Sequence, residues 1–159
     1  SAAGAPRSAC NAAAVEELAP ALGDPPVSDP PGPATDAVIE VAALRAALRT
    51  FLAESDRMAR ASGLTPQRHL LLLMIKGAPD GSERATVSEL AERLQLAQNT
   101  VTELVQRAER LGLIEREQSA LDARVAHLRL SAEGERRLAL AFAGNEDART
   151  HLLRAMRAR

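Results

Sequence analysis

The stretch that decides the fold runs from Thr86 to Gly134 and reads TVSELAERLQLAQNTVTELVQRAERLGLIEREQSALDARVAHLRLSAEG. Thr86 is followed three residues later by Glu89, so that the hydroxyl and the carboxylate can cap each other's backbone donors at the start of a helix. The apolar residues that give this helix its buried side are Leu90, Ala91 and Leu94. We therefore predict a short amphipathic helix that ends at the link of residues 95–97.

A second amphipathic helix is predicted from Gln98 to Leu111, with Gly112 as its left-handed end. Its apolar face, spaced at i, i+3, i+4 and i+7, consists of Val101, Leu104, Val105, Ala108 and Leu111. The opposite face begins with amides and hydroxyls, a composition that suits base edges and phosphates in a DNA major groove. Taken alone, the helix is equally consistent with an ordinary solvated surface.

A β-hairpin is predicted after this helix. The segments Leu113–Arg116 and Ala126–Leu130 flank a polar tip, and the second alternates apolar and polar residues as a half-buried strand does. Ser131 can then cap a further helix. Two helices followed by a hairpin are the layout of a winged helix-turn-helix. We therefore expect a mainly α-helical fold with a small β-hairpin wing.

In this region the chain resembles the MarR family of bacterial transcription regulators. The matching segments are GLTPQRHLLLLMI (Gly63–Ile75), QNTVTELVQRAERLGLIER (Gln98–Arg116) and LDARVAHLRLSAEG (Leu121–Gly134), and the resemblance covers residues 36–137. The hairpin aligns with the family pattern without a gap. It keeps both the D-x-R signature, at Asp122 and Arg124, and the L-[ST]-x-x-G ending.

The resemblance implies that the second helix is a recognition helix for double-stranded DNA. Its DNA-binding residues would be Gln98, Asn99, Thr100, Thr102, Gln106 and Arg110. Arg124 would enter the minor groove from the wing, where a planar, weakly hydrated guanidinium is favoured, and Asp122 would hold that guanidinium in place. The alternative for Asp122 and Arg124 is a local ion pair that only rigidifies the turn.

Three positions that are often basic in the family are not basic here, namely Glu103, Glu117 and Ala123. Glu103 could accept a hydrogen bond from a cytosine amino group, or it could repel phosphates. Residues 86–131 carry six Arg against seven acids, so phosphate neutralisation should contribute modestly to affinity. These departures favour an alternative function, a winged-helix protein-interaction module with weak or no DNA binding.

The chain divides by composition into a tail and one domain. Residues 1–35 are rich in Ala and Pro and have few large apolar groups, so we expect them to be disordered. Residues 36–159 should form the domain, with a dimerisation helix (36–62), the winged helix-turn-helix (63–131) and C-terminal helices (132–159). Residues 70–75 are apolar throughout and are expected at its centre.

The first helix of the domain carries a heptad-like apolar stripe of Val41, Leu44, Leu48 and Phe51. A lone stripe is more often core than interface, but the resemblance implies a homodimer built from the N- and C-terminal helices. Only 25 residues follow Gly134, fewer than the two C-terminal helices of the family usually span, so we expect either a trimmed dimer seam or a fragment of a longer chain. Gly144 and Asn145 should interrupt the last helix.

No motif favours catalysis, since a Gly-rich phosphate loop and a nucleophile elbow are both missing from the sequence. Cys10 is the single cysteine, and the three histidines are too far apart in sequence for a metal-ligand pattern. No apolar run is long enough to span a membrane. We expect neither enzyme activity nor a cofactor. The resemblance implies a cytoplasmic repressor that binds a pseudo-palindromic operator and is released by a small-molecule effector.

Overall fold

A computed structural model describes residues 30–157 of the chain; Cys10 and most of the predicted tail lie outside the described residues. No helix in the described part is both long enough and apolar enough to cross a membrane. The elements in chain order are α1 (Thr35–Ala61), α2 (Pro66–Lys76), β1 (Arg84–Ala85), α3 (Val87–Leu94), α4 (Gln98–Arg110), β2 (Ile114–Gln118), β3 (Ala126–Leu130), α5 (Ala132–Gly144) and α6 (Glu146–Arg157).

Side-chain caps fix where the central helices begin. The predicted capping box of α3 is confirmed: Thr86 Oγ1 accepts a hydrogen bond from Glu89 N at 3.3 Å, and Glu89 Oε2 accepts one from Thr86 N at 2.7 Å. Ser131 caps α5 by accepting a hydrogen bond from Gly134 N at 3.1 Å. These bonds satisfy backbone donors that have no partner inside the helix. The helix starts were therefore predictable from local spacing.

The three strands form an antiparallel sheet in the order β1-β3-β2. The predicted hairpin is confirmed, with Ile114 opposite Leu130 and Gln118 opposite Ala126. β2 begins one residue later and ends two residues later than predicted. The sequence analysis missed β1, which pairs Arg84 with Arg129. A strand of two residues is too short to show an alternating pattern.

The core lies between α2, α3, α4 and the sheet, and its largest fully buried side chains are Leu71, Leu72, Ile75, Leu90, Leu113, Leu128, Val101 and Val105. Two predictions of burial were wrong. Leu70 remains 42% exposed because it lies on the outer face of α2. Leu111 is 52% exposed because α4 ends at Arg110, and the chain then turns through Gly112 with φ +67°.

Two helices follow the wing. The predicted interruption is confirmed, since α5 ends at Gly144 and α6 begins at Glu146. Both helices pack against α1. At Gly144 the approach is close, because a Cβ atom placed there would lie 2.2 Å from Met58 Sδ on α1. α1, α5 and α6 thus form a separate layer beside the winged helix-turn-helix.

Candidate nucleic-acid interface

α3 and α4 form a helix-turn-helix whose turn is held by backbone and side-chain bonds. Gln95 ends α3 in the left-handed conformation, with φ 55°, which a non-glycine residue adopts rarely. Leu96 N then donates to Ala91 O at 3.1 Å. Gln98 Nε2 donates to Ser88 Oγ at 3.1 Å, a bond that joins the first turns of the two helices. The sequence analysis did not single out Ser88. The start of α4 is therefore fixed relative to α3.

The polar face of α4 is accessible, as the amphipathic pattern predicted. The exposed residues on it include Gln98, Asn99, Thr100, Gln106 and Arg110. Thr102 differs from this set because it is half-buried and its hydroxyl donates to Gln98 O at 2.8 Å. Asn99 Oδ1 accepts a hydrogen bond from Thr100 N at 2.9 Å, which leaves the Asn99 amide NH₂ group available to a ligand.

Glu103 forms an ion pair with Arg107 one turn along the same helix, with Arg107 Nη2 3.1 Å from Glu103 Oε2. Both side chains are more than half exposed, so the pair adds little to stability. The ion pair instead affects the local charge on this face of α4. The carboxylate that departs from the family pattern has its charge offset locally by Arg107.

The wing is attached to α4 through a two-pronged ion pair. Arg116 on β2 donates from Nε to Glu109 Oε1 at 2.6 Å and from Nη2 to Glu109 Oε2 at 3.2 Å. The backbone adds a bond from Leu113 N to Ala108 O at 3.0 Å. Parallel bonds between a guanidinium and a carboxylate fix direction as well as distance. α4 and the hairpin are therefore joined as one unit.

The D-x-R motif at the wing tip is arranged differently from either prediction. Asp122 Oδ1 accepts a hydrogen bond from the backbone N of Arg124 at 2.9 Å, and Asp122 O accepts one from Val125 N at 3.0 Å. Among residues 30–157 the Arg124 guanidinium forms no ion pair, and the residue is exposed. Asp122 thus orders the backbone of the turn rather than the guanidinium, and the Arg124 side chain remains available for binding.

The L-[ST]-x-x-G ending joins the wing to α5. Ser131 Oγ donates to Gly112 O at 2.5 Å, and Ser131 N donates to Leu113 O at 3.0 Å. Gly134 lies so close to this loop that a Cβ atom on it would be 2.1 Å from Leu113 O. The first turn of α5 is thus seated on the loop that connects α4 to the wing.

Charged residues of α5 extend this connection to α2 and to the α1–α2 turn. Lys76 Nζ lies 2.8 Å from both Glu135 Oε1 and Glu83 Oε2. Arg137 Nη1 donates to Gly63 O at 2.9 Å. Hydrogen bonds from Arg136 and Arg137 hold the pKa of Glu133 at about 2, so this carboxylate stays ionised at neutral pH. α5 therefore bridges the wing and the N-terminal helices.

The predicted stripe on α1 is on the surface of the single chain, not in its core. Val41, Leu44 and Leu48 are 57%, 38% and 42% exposed, and Phe51 is half-buried. Further exposed apolar residues of α1 and α6, which the prediction did not include, are Val38, Ile39, Leu52, Leu153 and Met156. Apolar exposure on this scale is typical of a protein–protein interface.

Comparison with known proteins agrees with this architecture. The model of the MarR family matches residues 62–125. The solved structure of a MarR family transcription regulator, SP03579, is similar to the chain at 28% identity and a TM-score of 0.59, over 75% of this chain and 76% of that one. YusO from Bacillus subtilis is similar at 26% identity and a TM-score of 0.54, over 76% of this chain and 84% of that one.

A third solved structure shows the fold alone, because the identity is 17%. It is a mutant of MepR from S. aureus bound to an oligodeoxyribonucleotide, with a TM-score of 0.56 over 77% of this chain and 83% of that one. No match was found among the curated proteins.

The mainly helical fold, the small antiparallel sheet and the exposed polar face of α4 define a winged helix-turn-helix protein. The winged helix-turn-helix within residues 62–125 matches the MarR family, and the chain is similar to a solved MarR family transcription regulator. In this fold α4 occupies the position of the recognition helix, and the β2–β3 hairpin is the wing.

Proposed function

We propose that the protein is a homodimeric repressor that binds a pseudo-palindromic operator with its two recognition helices in successive major grooves, about 34–36 Å apart. The observation that carries this proposal is an accessible polar face on α4 beside the exposed Arg124, whose guanidinium forms no ion pair with residues 30–157, on a wing that Arg116 ties to the same helix. MepR, which has the same fold, is bound to DNA in its solved structure, and this also supports DNA as the partner.

Within this proposal the residues of α4 have different roles. Gln98, Asn99, Thr100 and Gln106 would read base edges, since amides and hydroxyls match the donor and acceptor pattern of the major groove. Thr102 would add contact through the part of its side chain that is accessible, and Arg110 would neutralise a phosphate. On the wing, Arg124 would enter the minor groove, and Asp122 would hold the turn from which it projects.

We also propose a cytoplasmic location, because an operator-binding protein must reach the DNA, and release by a small-molecule effector. An effector can act only if it binds the DNA-competent and the incompetent dimer with different affinities. Saturation of the chain with a candidate effector should therefore lower operator affinity, and the operator should lower effector affinity by the same factor.

The second candidate function, a protein-interaction module, is favoured by the near-neutral charge of residues 86–131. Salt dependence of binding to promoter DNA from the protein's own locus distinguishes the two functions. A DNA reader should show a linear fall of log affinity with log salt, with a slope near −0.9 per neutralised phosphate. Absence of binding at every salt concentration would contradict DNA reading and favour the interaction module.

Arg124→Ala should weaken operator binding by roughly 1–3 kcal/mol and reduce the salt slope by about one. The fold should be unaffected, because the side chain is exposed and makes no ion pair among the described residues. Gel-shift titration at several salt concentrations, with circular dichroism of the free protein, measures both effects. Arg129→Ala is a matched control, since Arg129 is exposed on the same hairpin but is paired with Glu115. Equal effects of the two variants would contradict a minor-groove role for Arg124.

Simultaneous replacement of Asn99, Thr102 and Gln106 by alanine should reduce specific binding far more than non-specific binding, because these residues would contact bases rather than phosphates. Titration of the operator in the presence of increasing competitor DNA separates the two kinds of binding. Glu103→Arg is the informative companion. It removes an acid and releases Arg107 from its ion pair, so non-specific affinity should rise. A proportional loss of both kinds of binding in the triple variant would mean that the three residues only position the protein.

A further inference from the structure

The wing tip presents an apolar side chain that no feature of the folded chain explains. Leu121 is 99% exposed, more than any other large apolar residue in the described part of the chain. It lies three residues before Arg124, and its neighbours Ala120 and Ala123 are also uncharged. Burial of a leucine side chain is favourable relative to exposure, and at this position the gain is available only from a binding partner.

The tip is ordered by hydrogen bonds on both sides of Leu121. Ser119 Oγ accepts hydrogen bonds from Leu121 N at 3.2 Å and from Asp122 N at 3.4 Å. Ser119 N donates to Val125 O at 2.9 Å, which closes the base of the loop. With Asp122 occupied by the backbone of Arg124, the polar groups of the turn are largely satisfied internally. The side chains of Leu121 and Arg124 extend from this turn into solvent.

We propose that Leu121 is a second minor-groove residue, which enters the groove beside Arg124 and packs against sugars and base edges. This inference rests on the proposed function and deepens it. A narrow minor groove concentrates negative potential and attracts the guanidinium. Once Arg124 draws the tip into the groove, Leu121 would be the largest exposed apolar side chain that the tip presents to the DNA. Proteins that bind the minor groove use leucine in this way, often with partial unstacking of a base step.

The contact should also influence sequence preference. Leucine offers no hydrogen bond, so it cannot distinguish bases by their donors and acceptors. It favours steps that open or unstack at low cost, and pyrimidine–purine steps such as TA and CA are the most deformable. The operator positions under the wing should therefore be enriched in such steps.

The test uses the full chain and an operator selected from random-sequence DNA by the wild-type protein. Leu121→Ala should weaken binding about tenfold with an unchanged salt slope, because no charge is altered. It should also remove the preference for pyrimidine–purine steps under the wing. Leu121→Met should retain affinity, because methionine is of similar size and apolar. Arg124→Ala, in contrast, should lower the salt slope by about one.

Each outcome decides the proposal. Wild-type affinity in Leu121→Ala would overturn it while leaving the proposed function intact. A reduced salt slope in Leu121→Ala would also overturn it, since the loss would then come from a displaced Arg124. If the wild-type chain selects no DNA sequence, the proposed function itself fails, which the selection reveals before any variant is compared. Circular dichroism should be unchanged in every variant, because residue 121 is outside the core.

Discussion

Gly134→Ala is expected to lower the free energy of unfolding by roughly 2–3 kcal/mol. Intrinsic propensity predicts the opposite, because alanine is about 1 kcal/mol better than glycine in a helix interior. The contact of the added Cβ atom with the Leu113 backbone decides whether the substitution stabilises or destabilises the protein. A Cβ atom on residue 134 would lie 2.1 Å from Leu113 O and 3.1 Å from Leu113 C. Leu113 is 1% exposed, and its carbonyl accepts the hydrogen bond from Ser131 N. Neither backbone segment can move without breaking that junction.

Gly144→Ala is the matched control, since Gly144 is in the same helix and its added Cβ would also be close to another atom, 2.2 Å from Met58 Sδ. That atom is near the end of a flexible side chain, which can rotate away. We therefore expect Gly144→Ala to cost clearly less, below about 1 kcal/mol. Urea unfolding followed by circular dichroism measures both variants. Equal losses, or a Gly134→Ala variant as stable as the wild type, would show that the backbone contact is not restrictive.

The Gly134 junction also bears on regulation. α5 contacts the wing through Ser131 and Gly134, and it contacts the α1–α2 turn through Arg137. Through α5, a rearrangement of the α1–α2 turn would reach the loop that leads into the wing. In the proposed effector response, this path gives the α1–α2 turn and the wing a contiguous physical connection.

Features that depend on short sequence spacing were predictable. The capping box at Thr86, the cap at Ser131 and the apolar faces of α3 and α4 each depend on residues within one or two helical turns. A spacing of three or four residues fixes such contacts almost independently of the rest of the fold. The resemblance likewise placed the helix-turn-helix and the wing correctly in the sequence.

Features that depend on orientation or on distant contacts were not predictable. The spacing of Asp122 and Arg124 does not decide whether the carboxylate bonds the amide or the guanidinium of Arg124, and the structure has the amide. The two residues of β1 become a strand only because β3 is available to pair with them. The role of Gly134 depends on Leu113, 21 positions earlier in the chain, which no local pattern indicates.

In the proposed homodimer, the α1 stripe would be buried against the partner protomer. Substituting both Leu44 and Leu48 by aspartate should convert the proposed homodimer into a monomer. Burial of each leucine is worth roughly 1.5–3 kcal/mol, and the variant would in addition bury two unpaired carboxylates per chain. Operator affinity should fall by at least about a hundredfold, because a monomer can engage only one half-site at a time. Sedimentation velocity and gel-shift titration measure the two effects.

Ala53→Asp is the matched control. Ala53 is exposed on α1, and at 100° per residue it lies about 180° from Leu44 around the helix, so an aspartate there should leave the dimer intact. Removal of residues 1–33 should also leave it intact, since their composition argues against a packed role. The folded monomer is expected to survive in the double variant, because Leu44 and Leu48 are already exposed in the single chain. A dimer that persists in Leu44→Asp/Leu48→Asp would place the interface elsewhere, and a monomer after the short deletion would assign the tail to it.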